Sequence, residues 1–377
     1  MRLLVSGLTG QLGSGLVEAV PRELAELVPL VRPLASRDCA ARLRAAFPAS
    51  PELAARVVEG DVTRPHWGLD AATIRQLAID VDGVLNLAGE TNWAAGRREL
   101  DATNVRGAVH GYALTQALEA ASGARKLYCH VSSIHAAGAT TGRVPETPFG
   151  ADERRTPYEL SKWLGEVALL GRAERADAPG LCIARVGGLL GSSVTGVTRR
   201  RDSLYMLADR VDSLPLGLLP ISRSGRVDML PRDVAARLLI DALLALHAEP
   251  PQAPEIIHVC AGESAPTTDA VLRALVSLDE GHRVGRLRVL RVPTRGIVAA
   301  SEQLPRYQRL TRTWHNALIG LRYLMLERTF ERSRLAALVA GALPRVTIEQ
   351  LIRLAFELPA PQVLPAQDEL SLARFAR

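Results

Sequence analysis

The sequence predicts an α/β fold with a doubly wound parallel sheet, and three observations predict it. Short apolar runs typical of buried strands alternate with helical segments over about the first 265 residues. A glycine-rich turn joins the first apolar run to the first helical segment. Of the 377 residues, 47% are hydrophobic and 23% are charged, which is typical of a globular protein with a large core.

Seven segments predict strands because they are short and apolar. They are residues 2–6, 26–32, 55–61, 81–89, 125–133, 180–188 and 255–263. Helical spacing predicts helices at residues 14–24, 36–47, 99–121, 157–174 and 234–248. Ser36 or Asp38 is the expected cap of the second helix, and Pro157 lies in the first turn of the fourth. Strands that alternate with helices form a parallel sheet covered on both faces.

The pattern changes near the C-terminus. Residues 313–341 and 347–358 have helical periodicity, and no strand is evident beyond about residue 300. The stretch 359–370 is rich in proline, which predicts irregular structure. We therefore expect a helical lobe after the sheet.

The glycine-rich turn, "GLTGQLG", predicts a dinucleotide site of the Rossmann type. Gly7 allows the tight turn, Gly10 lets a pyrophosphate approach the main chain, and Gly13 allows close packing of helix on strand. The helix N-terminus then offers free N–H groups to the phosphates. A purely structural turn is the alternative, but the position between the first strand and first helix favours the nucleotide site.

The end of the second predicted strand indicates which dinucleotide binds. An NAD site places an acid there for the ribose 2′-hydroxyl, whereas this chain has Arg32. A guanidinium matches the 2′-phosphate of NADPH, and Arg42 could add a second contact. NADPH is therefore favoured over NADH. In an arginine-rich chain, the alternative is that both side chains simply face solvent.

Two further segments lie on the expected cofactor path. Asp61 and Val62 follow the third strand, where a carboxylate can accept from adenine and valine can pack on its ring. The small-residue turn that closes the fourth strand contains Leu87, Ala88 and Gly89.

Tyr158 and Lys162 stand four residues apart on a predicted helix, so their side chains share one face. A neighbouring ammonium stabilises a phenolate and moves a phenol, whose ordinary pKa is about 10, toward neutral pH. With six tyrosines and only two lysines in the chain, such a pair is rare by chance. Ser132 and Ser133 end the fifth strand, where ligands gather in such sheets and where a donor to a substrate carbonyl is needed.

These motifs together resemble the extended short-chain dehydrogenase/reductase superfamily. The glycine turn is similar to its nucleotide signature, and "YELSK" matches its Tyr-x-x-x-Lys. Within that group, "EGDVTRPHWGLD", "TNVRG" and "HVSSIHAAG" resemble the thioester reductases and fatty acyl-CoA reductases, the male-sterility-type NAD-binding domains, more than the sugar epimerases. The likeness covers about residues 2–265 and is loose beyond residue 300.

The resemblance implies roles for particular residues. Ser133 corresponds to the family's catalytic Ser or Thr, Tyr158 to its proton donor, and Lys162 to the residue that holds the ribose and tunes the tyrosine. The residues expected to bind the cofactor are Gly7, Thr9, Gly10, Gln11, Leu12, Gly13, Arg32, Arg42, Asp61, Val62, Leu87, Ala88, Gly89, Asn104, Tyr158, Lys162, Arg185 and Gly187. Thioester reductases usually carry Thr at the Ser133 position, and Val186 replaces their usual proline.

On this basis we expect three regions. Residues 1–235 form the NADP-binding Rossmann domain, with 186–230 contributing to the substrate pocket. Residues 236–295 supply the remaining sheet and helix elements of that domain, and 296–377 form the helical lobe that covers the substrate.

The resemblance implies NADPH-dependent reduction of an acyl thioester. No adenylation or carrier domain is recognised in the sequence, so we expect the acyl group to arrive on CoA or on a separate, acidic carrier protein. Two alternatives stay open. One is a ketoreductase, sterol-like dehydrogenase or nucleotide-sugar enzyme with the same catalytic residues, and the other is a non-catalytic dinucleotide-binding sensor.

Composition excludes several other classes. Aromatic residues make up 4%, too few for a surface that stacks nucleic acid bases. The four cysteines show no metal-ligand spacing, and no apolar run reaches the ~20 residues of a membrane span. We therefore expect no metal site. We also expect a cytoplasmic protein, because a strand begins right after Met1 and leaves no room for a signal peptide. The arginine cluster at 198–202 is a solvated loop or a contact for a CoA or phosphopantetheine phosphate.

Overall fold

The structure, a computed structural model, describes residues 1–35, 38–93, 95–174, 178–200, 205, 218–222, 224–278, 288–291, 322–323 and 326–357. The strands are β1 Arg2–Ser6, β2 Glu26–Val31, β3 Val58–Glu59, β4 Gly83–Asn86, β5 Leu127–Ser133, β6 Gly142–Val144, β7 Gly180–Val186, β8 Gly188–Leu190, β9 Leu218–Ile221, β10 Met229–Pro231, β11 Glu255–Val259, β12 Arg288–Arg291 and β13 Arg328–Phe330. The α-helices are α1 Gln11–Ala19, α2 Cys39–Ala46, α3 Glu52–Ala55, α4 Ala71–Asp80, α5 Arg97–Leu100, α6 Gly107–Ser122, α7 Pro157–Ala173, α8 Arg232–Ala248, α9 Thr268–Leu278, α10 Ser333–Leu338 and α11 Ile348–Ile352.

Seven strands form one parallel sheet in the order β11-β7-β5-β4-β1-β2-β3. This is the predicted doubly wound arrangement, and the seven predicted strands are the seven strands of this sheet. The chain winds from β1 outward to β3 and then restarts on the other side of β1 with β4. Ligands bind at the carboxyl ends of the strands at such a reversal point.

Both faces of the sheet are covered, as the alternation of strands and helices predicts. Leu3 and Val5 of β1 pack into a core shared with α1 and α8, and Leu4 points into the opposite core with α4 and α6. Each side chain of this strand from Leu3 onward is therefore buried, which explains why its sequence reads as continuously apolar.

The C-terminal region differs in part from the prediction. Within its described residues, β13 pairs with β6, so the expectation of no strand beyond residue 300 is wrong at Arg328–Phe330. Three residues are too short for helical and extended patterns to be told apart, and the long-range partner β6 decides the outcome. The short helices α10 and α11 agree with the predicted helicity. The irregular tail at 359–370 lies outside the described residues.

Two more pairs of strands stand apart from the main sheet. β8 pairs with β10, and β9 pairs with β12, both in parallel. The predicted pocket segment 186–230 therefore contributes small sheets of its own. Among the described residues, no helix is both long and apolar enough to cross a membrane.

Candidate active site

The glycine turn has the geometry that a dinucleotide site requires. Gly7 has φ +74°, and a Cβ there would lie 2.7 Å from the Ala88 nitrogen, while a Cβ on Gly13 would lie 2.3 Å from the Leu8 oxygen. Gly10, the residue before α1, is different, because a Cβ there would meet only the Gly7 oxygen at 3.1 Å. The turn thus leaves an open cradle over Gly10 at a helix N-terminus, which fits a pyrophosphate.

A strap of chain from Leu190 to Arg200 is fixed to this turn. The Gln11 side chain donates to the Leu190 oxygen (3.0 Å) and to Thr198 Oγ1 (2.8 Å), and it accepts from the Arg199 nitrogen (2.7 Å). Three bonds within the protein therefore occupy the side chain of a predicted cofactor-binding residue. Leu12 is buried, and Thr9 is half-buried.

The two arginines predicted to choose the dinucleotide lie together. Arg32 is exposed directly after β2, and Arg42 Nη1 donates to its backbone oxygen at 2.6 Å. Arg199, in the predicted arginine cluster, packs its guanidinium 4.9 Å from the centre of the Phe47 ring and donates to the Ala46 oxygen. Arg199 is thus held by the protein, and residues 201–202 of that cluster lie outside the described residues.

The predicted adenine-side residues are close to α6. Asp61 Oδ1 accepts from the Thr63 nitrogen and hydroxyl at 2.9 and 2.8 Å, which fixes the turn after β3. Val62 lies against the start of α6, with Cγ2 3.5 Å from where a Cβ on Gly107 would stand.

Local sequence explains how α7 begins just before the predicted catalytic pair, Tyr158 and Lys162. Thr156 and Glu159 form a reciprocal capping box that starts the helix, and Pro157 occupies its first turn. Tyr158 therefore lies in the first turn, 5% exposed, packed with Ala95, Leu100 and Trp93.

Lys162 lies one turn further along the same face. Its ammonium donates to the Val131 oxygen of β5 at 3.2 Å, and only 4% of the residue is exposed. Burial lowers the pKa of Lys162 from 10.5 to about 8, although Glu166 and Glu90 oppose the shift. A Cβ on Gly89 would lie 3.0 Å from Nζ, so the β4 turn approaches the ammonium closely.

Asn104 joins this group from the π-helical turn Asp101–Arg106 before α6. Its amide donates to the Glu90 oxygen (3.0 Å) and Ser161 Oγ (2.9 Å), and it accepts from the Glu90 nitrogen (2.8 Å). Single π turns inside helices are frequent at functional sites. The structure thus brings together three predicted residues: Lys162, Asn104 and Gly89.

The two serines at the end of β5 have different surroundings. Ser132 donates to Glu166 at 2.5 Å, so its hydroxyl is held inside the fold. Ser133, the predicted catalytic residue, accepts from the His135 nitrogen at 3.2 Å, and no acceptor for its own proton is found among the described residues. Ser133 is therefore the serine that is able to donate to a substrate.

The Arg185 side chain is bound inside the fold. It is fully buried and forms an ion pair with Glu166 at 2.8 Å, and it also donates to the Thr147 oxygen at 2.9 Å. Its guanidinium lies 3.4 Å from the centre of the Phe149 ring. These contacts hold the guanidinium within the protein, and the cofactor-binding roles of Arg185 and Gly187 stay predictions.

Sequence reasoning missed several residues of the site. Ser161 and Glu166 lie on the buried face of α7 with the predicted catalytic pair, which their spacing, three residues after Tyr158 and four after Lys162, could have indicated. Glu90 and His130 carry no such signal. Burial, and secondarily Lys162, lower the pKa of His130 well below its ordinary value. Across the described ranges, no three His, Cys, Asp or Glu side chains come close enough to hold a metal ion.

Solved structures with the same fold include reductase domains. The terminal R domain from the myxalamid PKS-NRPS biosynthetic pathway superimposes with a TM-score of 0.70 and 19% identity, covering 94% of this chain and 89% of that one. A thiolation-reductase di-domain from an archaeal non-ribosomal peptide synthetase gives a TM-score of 0.66 and 20% identity, covering 94% and 74%. At these identities the likeness shows the fold.

Sequence comparison shows the family. The L-2-aminoadipate reductase large subunit of Penicillium chrysogenum is 29% identical over 201 residues, which are 49% of this chain but only 14% of that much longer protein. The family model described as male sterility protein matches residues 5–239, more than half of the chain. The chain therefore belongs to the male sterility protein family, within the extended short-chain dehydrogenase/reductase superfamily of NAD(P)-dependent oxidoreductases.

Proposed function

We propose that the protein is an NADPH-dependent reductase of acyl thioesters. The observation that carries the proposal is the buried face of α7, which holds both Tyr158 and Lys162, with the Lys162 ammonium bonded to β5 and next to the β4 turn. The reductase names of the curated relative and of the solved neighbours support the substrate class. The thiolation domain in one neighbour supports a carrier-bound substrate.

The choice of NADPH rests on Arg32 and Arg42. Two guanidinium groups at the carboxyl end of β2 provide positive charge where the 2′-phosphate of NADPH would lie in this fold. The described side chains there include no acid in the position that an NAD site uses.

The catalytic residues divide the chemistry between them. NADPH, when bound, supplies a hydride to the thioester carbonyl carbon. Ser133 donates a hydrogen bond to the oxygen on which charge develops, and Tyr158 delivers a proton to it. The Lys162 ammonium lowers the free energy of the tyrosinate that remains. The hemithioacetal then loses its thiol and leaves an aldehyde, and a second reduction of the aldehyde would give the alcohol.

The test is to incubate purified protein with NADPH and a series of acyl-CoA and acyl-carrier thioesters. The proposal predicts that NADPH is oxidised and that one thiol is released for each aldehyde formed. Absence of oxidation at every acyl length contradicts it. Reversible reduction of a ketone without thiol release would instead establish the ketone or alcohol alternative with the same catalytic residues.

A further inference from the structure

A buried ion pair joins the C-terminal region to the first turn of α7, the helix that contains Tyr158 and Lys162. Arg322 Nη1 lies 3.5 Å from Glu159 Oε2, and both side chains are almost completely buried, at 2% and 0% exposure. The same Glu159 oxygen accepts from the Thr156 nitrogen in the capping box that begins α7. The Glu159 carboxylate thus links Arg322 to the start of α7, and Glu159 is the residue that follows Tyr158.

The neighbouring Tyr323 lies among aromatic side chains of the site. Its ring stacks on His135 with centroids 3.7 Å apart, and it meets Trp93 edge-on at 5.1 Å. Trp93 packs against Tyr158, and His135 follows Ser133 by two residues. Tyr323 therefore contacts one neighbour of the predicted proton donor, Trp93, and one neighbour of the predicted oxyanion donor, His135.

Three polar atoms of Glu159, Arg322 and Tyr323 are unpaired within the described part of the protein. Glu159 Oε1, Arg322 Nε and the Tyr323 hydroxyl are buried, and none has a hydrogen-bond partner among the described residues. Thr156 lies near the Tyr323 hydroxyl, but the two form no hydrogen bond of normal geometry. Buried unpartnered polar groups are rare in native proteins and are costly unless a ligand or water pairs with them.

We propose that Arg322 and Tyr323 complete the active site. Arg322 is a positioning residue that fixes Tyr158 through Glu159, and Tyr323 is a specificity residue whose hydroxyl binds a polar substituent on the acyl group beside the carbonyl. The substrate class is thus an acyl thioester with a hydroxyl or amino group near the thioester. This second part rests on the proposed function, whereas the positioning part applies to any carbonyl that Tyr158 protonates.

The positioning part is tested with Arg322→Gln, Glu159→Gln and the double variant. Glutamine at 159 can still close the capping box, so it removes the charge and keeps the helix start. We expect Arg322→Gln to lower kcat about tenfold or more, because small misplacements of catalytic groups are costly. The dissociation constant for NADPH should stay within about twofold. Glu159→Gln in the same chain should restore the melting temperature, since no buried charge is then unpaired, but not kcat, because the contact that fixes the first turn of α7 is still absent.

Arg237→Gln is the matched control, because Arg237 makes a partly exposed ion pair with Asp241 on α8, away from the site. If Arg322→Gln lowers the melting temperature but leaves kcat unchanged, Arg322 is only structural and the positioning role is wrong. If the single variant does not fold, the double variant decides. A kcat for the double variant about tenfold or more below wild type, with an unchanged dissociation constant for NADPH, supports positioning through the charge pair, and a kcat near wild type contradicts it.

The specificity part is tested with Tyr323→Phe, which removes only the hydroxyl. The probes are acyl-CoA thioesters of equal length with and without a 2-hydroxy, 2-amino or 3-hydroxy group. We expect wild type to favour one substituted probe in kcat/KM by about five- to tenfold, and Tyr323→Phe to lose that preference. An identical ratio in both proteins for every pair overturns the assignment. If wild type reduces ketones but no thioester, the proposed substrate class is wrong, and the Arg322 test is then made on the ketone.

Discussion

The chain contains two lysines, and both lie inside the fold with the ammonium bonded to backbone oxygens. Lys126 donates to the Ala78 and Val81 oxygens at 2.8 and 2.7 Å, and so holds the end of α4. Lys162 donates to the Val131 oxygen in the site. A compact ammonium with three donors suits such narrow places better than the planar fork of arginine. In a chain this rich in arginine, the presence of lysine at a position itself indicated a special role for that residue.

Replacing Tyr158 with Phe tests the proton donor. The ring stays to pack with Trp93 and Leu100, so the fold and the dinucleotide site should persist. We expect kcat to fall by about 10²–10⁴-fold, the usual contribution of a general acid. Initial rates and NADPH titration by fluorescence measure the two quantities. Turnover within a few-fold of wild type would remove Tyr158 from the mechanism.

Lys162 predicts a pH dependence with a definite sign. Its pKa of about 8 means that the ammonium is present below pH 8 and is lost above it. We expect kcat/KM to fall as pH rises through about 8. Stability moves the other way, because the unfolded lysine keeps its proton up to 10.5, so the cost of burying the ammonium disappears between pH 8 and 10.5.

Lys162→Arg is the control for this profile, since a guanidinium does not titrate in that range. The variant should be slower, and its rate should not fall near pH 8. A profile identical in shape to that of wild type would assign the titration to another group.

Arg32 predicts the choice between the two dinucleotides. Arg32→Ala should raise the dissociation constant for NADPH by about ten- to a hundredfold, since hydrogen bonds to charged groups contribute ~1.5–3 kcal/mol. The constant for NADH should stay almost unchanged, because NADH lacks the 2′-phosphate. Isothermal titration with both dinucleotides measures this. Equal weakening of both would show that Arg32 supports the fold and does not read the phosphate.

At the scale of elements, the sequence predicted the sheet well because parallel strands buried on both faces are short apolar runs. The strand β3 is the weakest case, with only Val58–Glu59 paired, although a longer run was expected. The π turn at Asp101–Arg106 was invisible in a stretch with continuous helical periodicity. Where only a few residues form a strand through one long-range pairing, as in β13, the local sequence pattern cannot distinguish a strand from a helix.

The glycine turn allows a matched pair of variants. Gly13→Ala would force a Cβ to 2.3 Å from the Leu8 oxygen, so it should lower stability, by about 1–3 kcal/mol as overpacking does. Gly10→Ala meets only the Gly7 oxygen at 3.1 Å and should cost about 1 kcal/mol or less, while its methyl group fills the phosphate cradle.

Urea unfolding and NADPH titration separate the two effects. Gly13→Ala should shift the unfolding midpoint, whereas Gly10→Ala should mainly weaken NADPH binding. A Gly10→Ala protein that binds NADPH as wild type does would contradict the location of the pyrophosphate.

At the scale of the whole molecule, the contacts that sequence could not predict are those between distant segments. Arg185 forms an ion pair with Glu166, which lies nineteen residues away in sequence, and no sequence pattern indicated this partner. Glu146 accepts from the Arg334 nitrogen at 2.5 Å and from the His258 nitrogen at 2.8 Å, and so joins α10 to the sheet. Sequence periodicity does not predict which charged groups will pair in the core, because the tertiary fold determines those pairs.

The net charge of +6 predicts how a carrier would be recognised. An acidic carrier protein is attracted by a positive surface, and salt screens that attraction over a Debye length of about 8 Å at physiological ionic strength. We expect KM for an acyl-carrier substrate to rise several-fold between about 50 and 300 mM NaCl with kcat unchanged. KM for the same acyl group on a small neutral thiol should not rise. Equal salt dependence for both would argue against an electrostatic carrier surface.

The most direct test of the central claim follows the hydride and the thiol in a single turnover. The protein is mixed with NADPH deuterated at C4 and an acyl thioester, and the products are identified by mass. The account predicts an aldehyde that carries one deuterium, with one equivalent of thiol released, and no such product from Tyr158→Phe on the same time scale. Deuterium found only in a reduced ketone, or in no product at all, would contradict it.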